Sequence, residues 1–214
     1  MIHTMVNEEI KMFLEREIVP LYDHHDAGHQ RDHAHYVMET SMQLAEHYPQ
    51  VDRNMLLVAA AYHDVGLCEG RKLHHEASAR LMREDKRLLQ WFTPEQVDIM
   101  ADAAEDHRAS SDHEPRTIYG RIIAESDRQI DGDTIIRRTI QYTKAHYPTM
   151  NEQEQYQRFI EHMAEKYAEG GYLKLWIPES ANATRLAEYR ELLKQPKALK
   201  EKYQQIYSQL EQNA

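Results

Sequence analysis

The sequence predicts an all-α fold. Glycine and proline, the residues that most often interrupt helices, occur only 7 times each among 214 residues. No stretch alternates apolar and polar residues as a half-buried strand would, whereas apolar residues recur throughout at the three- and four-residue spacing of helices. We therefore expect a helical bundle that carries an additional C-terminal helical segment.

Six helices are predicted in the first part of the chain. They cover about residues 8–19, 32–46, 52–65, 74 onward, 93–107 and 116–129. Pro20 ends the first helix because proline lacks the N–H that a helix interior needs, and Gly66 closes the third. Thr93 and Gln96 flank Pro94 in the pattern of a capping box, so the fifth helix begins there.

The C-terminal part also predicts helices. Asn151 and Glu154 form a second capping-box pattern, and Gly170-Gly171 interrupts the chain after it. Two amphipathic helices close the protein, with inward positions at Leu186, Tyr189, Leu193, Tyr203, Ile206 and Leu210. We interpret residues 1–214 as one all-α domain, with a site-bearing core at about 20–131 and a helical extension at about 132–214.

Composition excludes several classes of protein. The chain is 41% hydrophobic and 29% charged, as globular proteins are, and no apolar stretch is long enough to cross a membrane. Its net charge is −10 and its Lys and Arg residues are not clustered, so we expect no nucleic-acid polymer as a partner. The N-terminus shows no signal peptide, and Cys68 is the single cysteine, which favours a reducing, cytoplasmic location.

The most informative pair of residues is His63-Asp64. It follows the longest apolar run of the chain, residues 55–62. A carboxylate buried at the edge of a core costs several kcal/mol unless other groups compensate its charge. A divalent metal ion would do so. The alternative is that both side chains emerge into water at the end of a helix.

Further histidines and a second carboxylate occupy similar positions, near predicted helix ends or directly after apolar residues. They are His33, His74, His107 and Asp127. Together with His63 and Asp64 they make a nitrogen- and oxygen-rich set that suits Mn, Fe, Co, Ni or Zn. The absence of sulfur from this set argues against a structural zinc site of the finger type.

Each of these four residues also has an alternative explanation. A neighbouring histidine could replace two of them, a helix dipole could hold the third, and an ion pair could hold the fourth. In order, these alternatives are His35 for His33, His75 for His74, the C-terminal dipole for His107, and Arg121 or Arg128 for Asp127.

The order of the motifs along the chain is more specific than any single residue. The motifs are Asp32-His33-Ala34-His35-Tyr36-Val37, Ala60-Ala61-Tyr62-His63-Asp64-Val65-Gly66 and Glu125-Ser126-Asp127-Arg128. Over about His29 to Asp131 the chain resembles the HD-domain superfamily of metal-dependent phosphohydrolases. Residues 74–79 and 106–110 resemble the segments that supply extra histidines in the members with a binuclear centre.

This resemblance implies a ligand set and a reaction. The first metal ion would be bound by His33, His63, Asp64 and Asp127, and Asp64 would bridge to a second ion held by His74 and His107. The chain would thus hold one or two divalent ions, and catalysis would depend on Asp64. A metal-bound hydroxide would hydrolyse a small phosphorylated compound, such as a nucleotide. The phosphate contacts would be Lys72, Arg108 and Arg128.

The pattern departs from the family at two positions. Tyr36 stands where an arginine is usual, and Leu67 stands where a lysine is usual, with Lys72 a few residues later. Two other functions remain open: an HD-type diiron oxygenase, and a noncatalytic sensor that binds a nucleotide and signals through the C-terminal helices. Phosphohydrolysis is the commoner reaction in the family. The C-terminal helices could cover the pocket, pack on the core or form a homodimer.

Overall fold

The computed structural model of the chain describes residues 6–26 and 28–212. Within these residues there are ten α-helices and no strand. Helices α1 to α10 span, in order, Glu8–Phe13, Arg31–Leu44, Arg53–Tyr62, His74–Glu84, Pro94–Glu105, Ile118–Asp127, Gly132–His146, Glu152–Lys166, Asn182–Leu193 and Pro196–Gln212. The predicted all-α class is confirmed. Among the same residues, no helix combines the length and apolar character that a bilayer crossing requires.

Both predicted capping boxes are present. The Thr93 hydroxyl accepts the Gln96 N–H at 3.3 Å, and the Gln96 side chain accepts the Thr93 N–H at 2.9 Å. At the start of α8, Asn151 and Glu154 exchange the same pair of bonds at 3.0 and 2.8 Å. These bonds satisfy N–H groups that have no partner inside the helix, which is why the two starts are readable from sequence.

The predicted end of the first helix at Pro20 is wrong. After α1 the chain continues as a π-helix over Leu14–Ile18 and as a 3-10 helix over Val19–His24. Pro20 lies in the first turn of that 3-10 helix. A first-turn N–H has no partner inside a helix, so Pro20 fits this position without ending the helical path.

Two further differences concern α3 and α7. Helix α3 ends at Tyr62, earlier than expected, and Gly66 lies inside a following 3-10 helix, Val65–Glu69. Helix α7 was not predicted, although Asp131 caps it by accepting the Thr134 N–H at 2.7 Å.

The chain forms two compact units. The first contains the chain up to Arg128 together with Trp176–Ser180, and the second contains Gln129–Leu175 and the residues from Ala181 onward. The change of unit after Arg128 lies close to Asp131, where we expected the helical extension to begin. Treating the whole chain as one domain stays a prediction.

Helix α3 forms the centre of the first unit. All eight residues from Met55 to Tyr62 are buried, and α3 contacts α2, α5 and α6. Asp52 begins the helix by accepting the N–H groups of Asn54 and Met55. Because this helix is buried on every side, the side chains that follow its last residue also lie inside the unit.

Gly66 permits α4 to approach the segment that follows α3. Its N–H donates to the Ser78 hydroxyl at 2.9 Å. A Cβ at this position would lie 2.2 Å from the His74 carbonyl oxygen and 2.4 Å from the Ser78 nitrogen. Both obstacles are backbone atoms of α4, so only glycine allows the helix to pack at this distance.

A buried carboxylate anchors the short segment that returns to the first unit. Glu125, on α6, is fully buried and accepts the N–H groups of Trp176 at 2.7 Å and Ile177 at 3.3 Å. The Ser180 hydroxyl donates to the other carboxylate oxygen. These donors compensate the cost of burying Glu125, and they explain why Trp176–Ser180 belongs to the same unit as α6.

The second unit has its own apolar interior. Of the six inward positions predicted near the C-terminus, four are buried and two, Leu193 and Leu210, are partly buried. The buried residues of this interior include Ile136, Ile140, Phe159, Met163, Leu186, Tyr189, Leu199, Tyr203 and Ile206.

We predict that Gly66→Ala lowers the free energy of unfolding by about 3 kcal/mol, at the upper end of overpacking costs, because backbone atoms obstruct the new methyl group. Gly132→Ala is the matched control. Its Cβ would meet only the Tyr189 ring, at 3.2 Å, and its stability should stay within about 1 kcal/mol of the wild-type value. Urea denaturation measures both, and equal stability of the two variants would contradict the close-approach argument.

We predict that Ser180→Ala lowers the free energy of unfolding by about 1.5–3 kcal/mol, the value of a hydrogen bond to a charged acceptor. Ser110 is exposed, so Ser110→Ala should change stability by no more than about 0.5 kcal/mol. Chemical denaturation of the two variants checks this expectation. A Ser180→Ala protein as stable as the control would show that the hydrogen bond from Ser180 to Glu125 does not stabilise the returning segment.

Candidate metal centre

The six residues predicted from the sequence as ligands all lie in the first unit, at or near the ends of its helices. His33 is in the first turn of α2, and His63 and Asp64 directly follow α3. The other three are the first residue of α4, a residue just after α5 and the last residue of α6, namely His74, His107 and Asp127. The fold brings these six helix-terminal side chains to one region, as the contacts between them show.

One group of ligand atoms surrounds one carboxylate oxygen of Asp64. The Oδ2 atom lies 3.6 Å from His33 Nε2 and 3.4 Å from His63 Nε2. The two Nε2 atoms are 3.2 Å apart. Asp127 lies at the edge of this group, with its Oδ1 atom 3.2 Å from His33 Nε2 and its side chain 26% exposed. We call His33, His63 and Asp64 Oδ2 the first group.

A second group surrounds the other carboxylate oxygen of Asp64. The Oδ1 atom lies 3.3 Å from His74 Nε2 and 3.4 Å from His107 Nε2. These two Nε2 atoms are 3.2 Å apart. In each group, every residue offers one ligand atom and these atoms lie within 4.8 Å of one another. Asp64 therefore belongs to both groups through different oxygens.

The backbone fixes the orientation of three of the imidazole rings. The Nδ1 atoms of His63, His74 and His107 each contact a main-chain carbonyl oxygen, those of Ala60, Arg71 and Ala104 respectively. A carbonyl can only accept, so each Nδ1 carries the proton and donates it. In the neutral ring the Nε2 atom then presents a lone pair to its group, as in metal-bound histidines.

This arrangement fits a cation. When both rings are neutral and carry their proton on Nδ1, His74 and His107 direct two lone pairs at each other across 3.2 Å, next to an Asp64 oxygen. Three acceptors facing one point repel one another unless a positive charge lies between them. A divalent ion with nitrogen and oxygen preferences satisfies all of them at once.

The pKa values of Asp64 and His33 also indicate that positive charge is favoured between these side chains. Burial opposes ionisation of Asp64, but the surrounding imidazoles outweigh it and hold its pKa well below the usual value. Burial also opposes protonation of His33, yet hydrogen bonds to Asp127 and Asp64 raise its pKa to about 9. In the second group, burial opposes protonation of His107, but its hydrogen bond to Asp64 raises the pKa of this ring. Burial, and then the charge of a protonated His107, lower the pKa of His74 to about 4.

The geometry distinguishes the neighbouring histidines that the sequence left as alternatives. His35 is exposed and its Nε2 lies 3.1 Å from the Glu15 carboxylate. His75 lies beside Glu76, with 3.9 Å between its Nε2 and Oε1. Neither is a member of the two groups. Likewise Asp127 contacts His33, which leaves no need for an ion pair with Arg121 or Arg128 to explain its position.

The three predicted phosphate contacts lie in different surroundings. Lys72 is exposed, and Arg108 is partly exposed and donates to the Lys72 carbonyl oxygen at 2.6 Å. These two lie beside His74 and His107 in sequence. Arg128 is buried, and its guanidinium donates to the Ala124 carbonyl oxygen. All three assignments stay predictions.

One residue at the centre was not singled out from the sequence. Tyr22 is fully buried, and its hydroxyl contacts the backbone on both sides of His63. Burial, and then the Asp64 charge, raise the pKa of Tyr22 well above its ordinary value. Tyr22 lies in the 3-10 helix Val19–His24, beyond the predicted helix end at Pro20, so α-helical spacing gave no signal for it.

Comparison with known proteins agrees with this geometry. Residues 25–129 match the family model of the HD domain. No curated protein and no solved structure matched the chain. The matched segment contains all six of the predicted ligands and both groups around Asp64. Through this segment, residues 25–129, the chain carries an HD domain.

Proposed function

We propose that this protein is a metal-dependent phosphohydrolase that acts on a small phosphorylated compound, with nucleotides as the first candidates. One observation carries the proposal: within an HD domain, the two oxygens of one buried carboxylate face two separate pairs of imidazole nitrogens. That arrangement supports one divalent ion in each group, with Asp64 shared between them. Members of this family are generally hydrolases.

The protein residues have distinct roles in this proposal. His33, His63 and Asp127 would hold the first ion, His74 and His107 would hold the second, and Asp64 would be shared between them. Bound divalent ions lower the pKa of water from about 15.7 towards 7 and neutralise charge on phosphoryl oxygens. The backbone carbonyls that accept from Nδ1 keep three of the rings aimed at the ions.

Two cationic residues that lie close in sequence to the ligands of the second group support a phosphate ligand. Lys72 is exposed and Arg108 is partly exposed, and the Arg108 guanidinium is tied to the Lys72 backbone. Arginine forms directed hydrogen bonds to phosphate oxygens, and lysine acts there as a point charge. The net charge of the chain is −10, so local cations are needed to attract an anionic substrate. We assign these two residues to substrate binding.

The reaction is tested by measuring inorganic phosphate released from a panel of nucleotides and phosphomonoesters with added Mn, Co or Ni. We expect release in the wild-type protein and a loss of at least about 1,000-fold in Asp64→Ala, because both ions lose a ligand. Asp112 is exposed, and Asp112→Ala should keep full activity. Metal-loaded protein that is silent across the panel, or active as Asp64→Ala, would overturn the proposal. Oxygen uptake by iron-loaded protein would favour the diiron oxygenase instead.

The number of ions is tested with two adjacent histidines. We expect two ions per wild-type chain, one in His74→Ala and two in His75→Ala, since only His74 belongs to the second group. Metal analysis after gel filtration gives the stoichiometry. A single ion in the wild-type protein, or equal losses in the two variants, would remove His74 and His107 from the ligand set.

A further inference from the structure

The Tyr22 hydroxyl contacts the backbone at the point where α3 ends, between Ala61 and Asp64. It donates to the Ala61 carbonyl oxygen at 2.9 Å and accepts the Asp64 N–H at 3.2 Å. Its oxygen also lies 3.4 Å from His63 Nδ1. These partners are 39 to 42 residues away in sequence, so the contact joins two distant parts of the first unit.

The need for this hydroxyl follows from how α3 ends. If the helix continued, the Ala61 carbonyl would accept from residue 65 and the Asp64 N–H would donate to residue 60. Instead, the Ala60 carbonyl accepts from His63 Nδ1 at 2.7 Å. The backbone of Asp64 leaves the helical conformation, with φ −114° and ψ 4°. The end of the helix thus frees one acceptor and one donor inside a dry core.

A single tyrosine hydroxyl satisfies both freed groups. It has one proton to donate and lone pairs to accept, and it uses them on the Ala61 carbonyl and the Asp64 N–H. An unpaired buried backbone group would cost free energy and would favour a different path for the chain. The ring packs 5.0 Å from His25 and 6.1 Å from His63, measured between ring centroids, so the hydroxyl is held in place by its own packing.

We propose that Tyr22 is a positioning residue for the metal centre: its hydroxyl holds the residues after α3 in the conformation that places the Asp64 carboxylate between the two groups. Tyr22 binds no metal ion in this proposal and acts only through Asp64 and His63. The inference rests on the proposed metal centre and does not depend on which substrate is hydrolysed.

The test is Tyr22→Phe, which removes the hydroxyl and keeps the ring. We expect the variant to fold and to bind Co or Mn about 10- to 100-fold more weakly than the wild-type protein, the usual effect of losing a partner that orients a metal ligand. Isothermal titration of the metal-free protein measures the affinity. The visible absorption of bound Co reports the ligand geometry, and its bands should change in Tyr22→Phe.

Tyr62→Phe is the matched control. Tyr62 is the last residue of α3 and is also buried, but its hydroxyl donates to Asp85 at 2.6 Å and not to the centre. Its loss should lower stability while metal affinity and the Co spectrum stay as in the wild-type protein. If Tyr22→Phe binds metal as tightly as the wild-type protein, or if both variants lose affinity equally, the positioning role is wrong.

The outcomes separate this inference from the proposed reaction. Weakened binding in Tyr22→Phe, with no phosphate release by the wild-type protein, would support the positioning role and overturn phosphohydrolysis. Phosphate release by both proteins with unchanged metal affinity would do the reverse. A wild-type protein that binds none of these metals would overturn both.

Discussion

The arrangement of the centre depends on the buried carboxylate of Asp64. It is 3% exposed, and a lone carboxylate at that depth would cost several kcal/mol. Four imidazole nitrogens surround it at 3.3 to 3.6 Å. Each of these nitrogens belongs to a histidine at one end of a different helix. The charge of Asp64 is therefore surrounded in this way only because one end each of α2, α3, α4 and α5 lies at the same place. The packing of the first unit and the compensation of the Asp64 charge therefore depend on the same arrangement of helix ends.

The same local device orients three of the four rings. In His63, His74 and His107, Nδ1 meets the carbonyl oxygen three residues earlier. Two of these carbonyls, those of Ala60 and Ala104, belong to the last turns of α3 and α5, where carbonyl groups have no helical partner. When a histidine lies just after a helix, a carbonyl oxygen of the last turn can thus accept from Nδ1 and fix the tautomer of the ring. This explains how His63 and His107, which follow the ends of α3 and α5, are oriented without a separate carboxylate.

The sequence predicted the helices with local signals and the six side chains that the fold brings to one region, but not the contacts that distinguish neighbours. Capping boxes at Thr93 and Asn151 act within four residues, so their effect is visible in the sequence alone. The choice of His33 over His35 depends on which side of α2 faces α3, which is a tertiary property. Tyr22 was missed for the same reason, because its partners lie far away along the chain and its segment has no α-helical spacing.

The two groups depend on different parts of the first unit and are joined only through Asp64. The first group uses α2 and the end of α3, with Asp127 of α6 at its edge. The second uses the segment after α5 and the start of α4, which reaches its position because Gly66 has no side chain. A disturbance of α4 therefore acts on His74 and leaves His33 and Asp127 in place. A disturbance of the turn after α3 moves Asp64 and acts on both groups together. The Tyr22 hydroxyl bonds to that turn, so in the proposed positioning role its loss acts on both groups through Asp64.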